Sequence, residues 1–369
     1  MKTITVVGTR PELIRLSIVL QILNKNIKNI LVHTGQNFDY ELNKIFFDEM
    51  NIQKPDYQIN LKNNSPHSAI SKIFIEIEKI ILKEKPDAFI VLGDTNSCLS
   101  AYCAKRYKIP VFHIEAGNRC YDLRVPEEIN RKIIDHIADI NLTYSEIAKQ
   151  NLLRENIDPD KVFNIGSPLY EVYNYYKKRI LKSDILKKLK LKQNDYFLVS
   201  VHREENVENY YNFKNFLNML NYLWQKYKKK IIVSTHPRTM KKVKSIKNLN
   251  KNIIFSKPFS YFDYSKLQIN SKLVLSDSGS ISEESSIMGF NAINLRSTNE
   301  RQEAIEYGVV GMSHFNLEII QNLINLENQK HSKEIVNDYK SKNFSKIFLK
   351  ILFSYKNYVK EYTWKEKKN

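Results

Sequence analysis

Asp94, Glu115, Glu127 and His202 are the side chains of this chain best placed to move protons. Asp94 and Glu115 stand at or just past the ends of apolar runs, in GDTNS and HIEAGNR. Glu127 follows Pro126 in PEEINR, and His202 ends a run that begins at Phe197. General acid/base work needs such groups gathered together, with pKa values moved by burial and by one another. Each has an ordinary alternative: Asp94 as a helix cap, Glu127 with Glu128 as a solvated first turn. Four of them around one predicted crevice favour the catalytic reading. His113, two residues before Glu115 on an apolar run, reads as core or as support for that site. His33, His136 and His236 are intermediate, and His67, His314 and His331 read as loop or surface residues.

A second set of residues suits an anion. The stretch from Ser276 to Glu284, SDSGSISEE, joins a strand to a helix, and small residues there let a phosphate approach free N–H groups and the positive end of the helix dipole. Ser280 and Glu283 also have the spacing of a capping box, and both readings can hold together. Arg10, in GTRPE, closes the first strand and precedes Pro11 at a helix start. The dipole disfavours a cation there, so Arg10 is expected to clamp a phosphate. No G-x-G-x-x-G follows the first strand, which argues against a nicotinamide cofactor. Tyr170, Tyr173 and Tyr176 read as a packing stripe; Phe259, Tyr261, Phe262 and Tyr264 read as a loop able to reach a nucleobase.

These residues need elements to position them. Short apolar runs predict strands at Thr3–Gly8, Asn29–His33, Ala88–Leu92, Val111–Ile114, Ile140–Thr143 and Val162–Ile165. A second series follows at Phe197–Val201, Lys230–Thr235, Asn252–Phe255, Leu273–Ser276 and Ala292–Leu295. Helical stripes lie between them, such as Ile70, Ile73, Phe74, Ile77, Ile80 and Ile81. Such alternation predicts an α/β fold with two doubly wound parallel sheets, the break falling near Gly166–Ser183. Ligands of such sheets bind outside the carboxyl edges of the strands. Nearly every predicted edge here runs into a polar cluster, so a cleft between two facing domains is expected to hold an anionic ligand.

Composition narrows the classes. The 369 residues, 42% apolar and 27% charged, suffice for about two domains. No apolar run approaches the ~20 residues of a membrane span, so no membrane insertion is expected. MKTITVVGTRPE is already a strand rather than a secretion signal, and Cys98, Cys103 and Cys120 lack metal-ligand spacing; a cytoplasmic protein without a metal site or disulfides is expected. The net charge of +18 raises the question of a nucleic acid, but the lysines are scattered or gathered at the C-terminus, and no nucleic-acid module appears.

In combination, GTRPE, GDTNS, EAGNR with PEEINR, VHREEN, SDSGSISEES and the final ER-x-E resemble the non-hydrolysing UDP-N-acetylglucosamine 2-epimerase family, from Thr3 to about Gly308. The resemblance implies two Rossmann-like domains of the GT-B type, no cofactor, a UDP-sugar as the partner molecule and a homodimer. It implies a sugar-binding and catalytic domain over 1–168, a UDP-binding domain over 169–345, and a helix over 346–369 across their junction. By motif, Asp94, Glu115 and Glu127 resemble the catalytic carboxylates and His202 the histidine assisting UDP departure. Arg10, Arg15 and Arg131 resemble substrate-binding residues. Ser278, Gly279 and Ser280 resemble the phosphate loop, Glu284 the ribose-binding glutamate, Arg301 the arginine of the ERPE motif and Tyr264 part of the uracil pocket.

HTGQN-x-DYEL, EAGNRC-x-D-x-RVPEEINRK, DYSKLQ-N and EESSIM resemble a branch that makes UDP-N-acetyl-L-fucosamine from its L-talo epimer, for capsule or O-antigen synthesis. EAGNRC and LRSTNERQE are similar to a branch acting on UDP-2,3-diacetamido uronates. Arg15 stands where the N-acetylglucosamine branch commonly has lysine, and Gln302 replaces the proline of ERPE. Asn37 replaces a histidine of that branch's activator site, which argues against feedback activation by UDP-N-acetylglucosamine. The implied chemistry removes the C2 proton as UDP leaves C1, then re-adds UDP to the glycal with protonation from the other face. A hydrolysing epimerase, a glycosyltransferase of the same fold and a non-catalytic polyanion binder are the alternatives.

Overall fold

The computed structural model describes residues 1–35, 46–61, 65–235, 237–244, 250–327 and 334–365. Asn37, His236 and His331 lie outside them. The chain divides into two compact units, Met1–Asn174 with Asn337–Asn369, and Tyr175–Val336. The first crossing falls inside the helix Pro168–Lys182, a few residues beyond the expected 168/169 boundary. Leu169, Val172, Tyr173, Tyr176 and Ile180 are buried along that helix without a break, so the local pattern does not mark the crossing.

Unit 1 holds seven strands: β1 (Lys2–Val7), β2 (Lys28–His33), β3 (Tyr57–Gln58), β4 (Ala88–Leu92), β5 (Val111–Ile114), β6 (Ile140–Thr143) and β7 (Val162–Asn164). All pair in parallel in the order β3-β2-β1-β4-β5-β6-β7. Unit 2 holds β8 (Tyr196–Val201), β9 (Lys230–Thr235), β10 (Ile253–Ser256), β11 (Leu273–Ser276), β12 (Ala292–Asn294) and β13 (Val310–Met312), parallel in the order β10-β9-β8-β11-β12-β13. Both are Rossmann-like sheets of the GT-B type. The predicted strands are present, with ends shifted by one residue in several. The edge strands β3 and β13 were not foreseen, because two or three residues carry no readable alternation.

The sequence accounts for this assembly locally. The strands of unit 1 are buried on both faces, as sheets covered on both sides require. On one face of unit 1, Ile73, Ile77, Ile80 and Ile81 of the helix Pro66–Glu84 join the cluster of Ile4, Val6, Phe89 and Val91. The hydroxyls of Thr3 and Thr5 both donate to Asn29 Oδ1, at 2.9 and 2.7 Å, which fixes β1 against β2. The helix Phe344–Tyr358 belongs to unit 1, with Phe348 edge-on to Phe112 and Phe344 edge-on to Tyr144. Its first turn is held by Glu171, which accepts from Ser345 N and Oγ. No helix among the described residues is long and apolar enough to cross a membrane.

Strand order reverses between β1 and β4 in unit 1 and between β8 and β11 in unit 2. At such switch points adjacent connections leave on opposite faces, and the carboxyl edge opens into a crevice.

Candidate active site

Asp94 sits one residue past Gly93, at the β4 side of the first switch point. Its Oδ2 accepts from Arg131 Nε at 3.0 Å and Nη2 at 2.6 Å. Its carbonyl oxygen accepts from Asn130. Arg131 is buried in the helix Pro126–Ile137, and its Nη1 also donates to Glu128 at 2.9 Å. Pro126 opens that helix, placing Glu127 half-buried in its first turn. Glu128 is the correction to the solvated-turn reading: it is wholly buried, and it accepts from the backbone N–H groups of Cys120 and Tyr121. Neighbours in a helix face different ways, and Arg131 three residues on was the sign that Glu128 faces inward.

Glu115 follows β5 with φ of 71°, in the left-handed region, a conformation that costs a non-glycine residue about 1–3 kcal/mol. Anchors on both sides hold it there. Ile114 O accepts from Gly93 N at 2.9 Å, and Ala116 N donates to Leu142 O at 3.1 Å. Gly117 (φ 82°) completes the turn, and a Cβ there would lie 2.2 Å from Ala148 O. The Glu115 carboxylate lies over the neighbouring strand end: a Cβ on Gly93 would be 4.0 Å from its Oε2. Arg15, buried in the helix Arg10–Asn26, brings Nε to 3.6 Å from the same oxygen. Asp94, Glu115, Arg15 and Arg131 therefore share one edge of unit 1.

Arg10 begins the helix after β1, half-buried, its guanidinium 5.8 Å from the Phe46 ring centroid. Glu12, which sequence reasoning passed over, reaches back beneath this turn and accepts from Gly8 N at 2.5 Å and Thr9 N at 3.4 Å. Burial pushes its pKa up to about 7 against the lowering effect of those bonds. A glutamate two places after the candidate clamp was the available signal. His33, at the end of β2, is buried, accepts from Gly35 N through Nδ1, and is pushed down to about 4 by desolvation.

In unit 2, His202 follows β8 and Asp277 follows β11, so the pair spans the second switch point. His202 Nδ1 is 3.1 Å from Asp277 Oδ1. Asp277 is wholly buried and also accepts from the backbone N–H groups of His202 and Arg203 and from Asn206 Nδ2. Burial raises its pKa, but His202 and these bonds more than offset that, holding it at about 2. Sequence reasoning treated Asp277 only as part of a small-residue loop.

Ser278 and Ser280 exchange a hydroxyl contact at 2.9 Å at the start of the helix Ile281–Met288. The capping box expected there is absent: Ser280 Oγ donates instead to Glu284 Oε1 at 2.8 Å, and Glu283 faces Arg301 at 3.3 Å. Gln268 Nε2 donates to Glu284 Oε2 at 2.6 Å, so both oxygens of Glu284 are oriented. Arg301 Nε donates to Gly279 O at 3.3 Å. A Cβ on Gly279 would meet Glu300 Oε2 at 3.1 Å, and Glu300 is itself paired with Arg296. Arg301 and the Arg296–Glu300 pair thus brace the serine loop.

The aromatic loop expected at Phe259–Tyr264 is in part a helix, Tyr261–Asn270, capped by Ser260. Tyr261 and Phe262 are buried, and Phe262 receives the Arg179 guanidinium at 4.6 Å. Tyr264 lies in the same helix, its pKa raised by burial first and then by the charges of Glu284 and Asp277. Among the described residues no cluster of metal-ligating side chains occurs.

A family model described as UDP-N-acetylglucosamine 2-epimerase matches residues 21–352. A solved UDP-N-acetylglucosamine 2-epimerase from Rickettsia bellii is 44% identical, with TM-score 0.91, the match covering 99% of this chain and 100% of that one. A Methanocaldococcus jannaschii UDP-GlcNAc 2-epimerase, solved in complex with UDP-GlcNAc and UDP, is 36% identical, with TM-score 0.88 and coverage of 96% and 100%. The UDP-2,3-diacetamido-2,3-dideoxy-D-glucuronate 2-epimerase of Pseudomonas aeruginosa is 32% identical over 84% of this chain and 87% of its own. The chain belongs to the UDP-N-acetylglucosamine 2-epimerase family and is, like its members, an isomerase acting on a UDP-sugar.

Proposed function

We propose that the chain inverts C2 of UDP-2-acetamido-2,6-dideoxy-L-talose to give UDP-N-acetyl-L-fucosamine, a donor for surface polysaccharide. The observation that carries the chemistry is the Glu115 carboxylate lying over Gly93 beside Asp94. The C2 hydrogen of an acetamido sugar is not α to a carbonyl, so its removal must be coupled to departure of UDP from C1. A carboxylate takes the C2 proton, the C1–O bond breaks toward UDP, and C1=C2 forms. UDP then adds back to C1 while a proton reaches C2 from the opposite face. Asp94 and Glu115 serve as the proton-handling pair, and Glu127 orients the sugar or shares that role. Arg10, His202 and the Ser278–Ser280 loop take the charge of departing UDP, Glu284 holds the ribose, and Tyr264 lines the nucleoside pocket. Arg131 acts by holding Asp94, Arg15 by facing Glu115, and Arg301 by bracing Gly279.

Two arginines favour a sugar uncharged at C6. Arg119 and Arg124 are the natural counter-ions for a uronate beside Glu115. Arg119 is buried against Asp135 and Glu155, and Arg124 forks Asp122. A substrate carboxylate would have to displace one of these partners, a cost that disfavours the uronate. The branch motifs then favour the 6-deoxy L-sugar. The second reading is UDP-N-acetylglucosamine, supported by the UDP-GlcNAc held in the Methanocaldococcus relative.

The test is proton NMR of the three UDP-sugars incubated side by side in D₂O. The expected result is fastest turnover of the L-sugar, with the UDP linkage intact and deuterium at C2. Faster turnover of UDP-N-acetylglucosamine selects the second reading. Free UDP with free sugar, or product lacking deuterium at full conversion, overturns the mechanism. The resemblance further supports a homodimer, which light scattering measures.

A further inference from the structure

Behind the candidate carboxylates lies a buried group of charges that the chemistry above does not use. His113, on β5, is wholly buried. Its Nε2 lies 2.8 Å from Gly93 O and its Nδ1 lies 2.9 Å from Asp135 Oδ1. Asp135, equally buried in the helix Pro126–Ile137, accepts in turn from Gly117 N at 3.3 and 3.2 Å and from Arg119 Nη1 at 2.6 Å. Arg119 continues to Glu155 through Nε and Nη2 and to Asn118 O through Nη1. Burial raises the Asp135 pKa, yet His113 and Arg119 more than offset it and the carboxyl stays below its usual range.

The two backbone groups at the ends of this chain of contacts are informative. Gly93 precedes Asp94, and Gly117 closes the strained turn that presents Glu115. The strands beneath are already paired in register from Phe89 with Val111 to Leu92 with Ile114, so the sheet needs no further link here. The ladder between these strands ends with Gly93 N donating to Ile114 O, one residue short of Asp94 and of Glu115.

We infer that His113 and Asp135 are positioning residues that tie the Asp94 loop to the Glu115 turn and set the separation of the two carboxylates. The inference rests on the epimerase reading and deepens it. A displacement of about 1 Å in a reacting group costs roughly 100-fold in rate, so loss of this tie should appear in turnover.

The test compares His113→Gln, Asp135→Asn, the double variant and Asp139→Asn. Asp139 is a control on stability: it is also buried, accepting from Val111 N and pairing with Lys105, but at the opposite end of β5. Folding is followed by thermal melting and by UDP affinity. The expected result is a fall in kcat of about 10- to 100-fold for either single change, with KM and UDP affinity within about two-fold of wild type. The double variant should be no slower than the slower single one, because either change alone breaks the tie. Asp139→Asn should lower the melting temperature and leave kcat within about two-fold. If His113→Gln does not fold, Asp135→Asn decides. Variants that melt lower but keep wild-type kcat, or single losses that multiply in the double variant, overturn the inference alone. A wild-type chain that turns over none of the UDP-sugars overturns the epimerase reading and this inference with it.

Discussion

Arg131 grips Asp94 through one oxygen, with Nε and Nη2 both donating to Oδ2 and Oδ1 left outside the grip. The third contact of this guanidinium, to buried Glu128, fixes its plane. Lysine presents a point charge and cannot reproduce that planar fork. Arg131→Lys should lower kcat at least ~10-fold while UDP affinity is retained. Arg131→Ala should also cost about 3–5 kcal/mol of stability by leaving buried Glu128 without its countercharge. Steady-state kinetics with chemical denaturation check both.

Glu115→Gln keeps the shape of the side chain and removes its capacity to take a proton. Turnover should fall by at least ~10²-fold, the usual scale of general acid/base catalysis. UDP binding, measured by calorimetry, should persist. Near-normal turnover would exclude Glu115 from the proton-handling pair.

Asp277 fixes the His202 ring from the Nδ1 side and directs Nε2 away from itself. Asp277→Asn should lower kcat by about 10- to 100-fold and reduce the melting temperature, since buried Asp277 also holds Arg203 and Asn206. Because the Asp277 pKa sits at about 2, loss of activity between pH 6 and 4 must come from other groups. A variant with wild-type kcat would show that His202 needs no partner.

Glu284→Ala should raise KM and weaken UDP binding more than it lowers kcat, because a ribose contact acts on ground and transition states alike. Gln268→Leu, which removes only the Gln268 bond to Oε2, should give a smaller effect of the same kind. Calorimetry with UDP ranks the two.

Two buried groups give stability slopes of opposite sign with pH. Glu12 is raised from 4.5 to about 7, so the folded chain binds more protons than the unfolded one in that interval. Its contribution is present below pH 4.5 and lost as pH rises through about 7, by roughly 3 kcal/mol. His33 is lowered from 6.5 to about 4, so its contribution is present above 6.5 and lost as pH falls through about 4. Glu12→Gln should gain stability relative to wild type near pH 8, and His33→Asn near pH 4, by melting at each pH.

The sheets were legible because buried parallel strands are apolar runs, and the carboxyl edges because polar clusters interrupt them at each end. Asp94, Glu115 and His202 could be named from that alone. Their partners could not. Asp277 lies 75 residues from His202, and Asp135 lies 18 from Gly117, so no local spacing joins them. The orientation of Glu128 and the bracing of Gly279 by Arg301 likewise depend on how distant segments are placed. Tyr261 and Phe262 were misread because aromatic residues in a short polar stretch carry little helical periodicity; the Ser260 cap opens a helix there and both rings are buried.

The division of the chain bears on how it is made. Unit 2 is one uninterrupted stretch, whereas unit 1 needs residues on both sides of it. Phe344 and Phe348, which close over Tyr144 and Phe112, are translated only after all of unit 2. At roughly 5–20 residues per second, the ribosome leaves the first-made sheet without that cover for about ten to forty seconds. The half of the protein that begins first is therefore the half that finishes last.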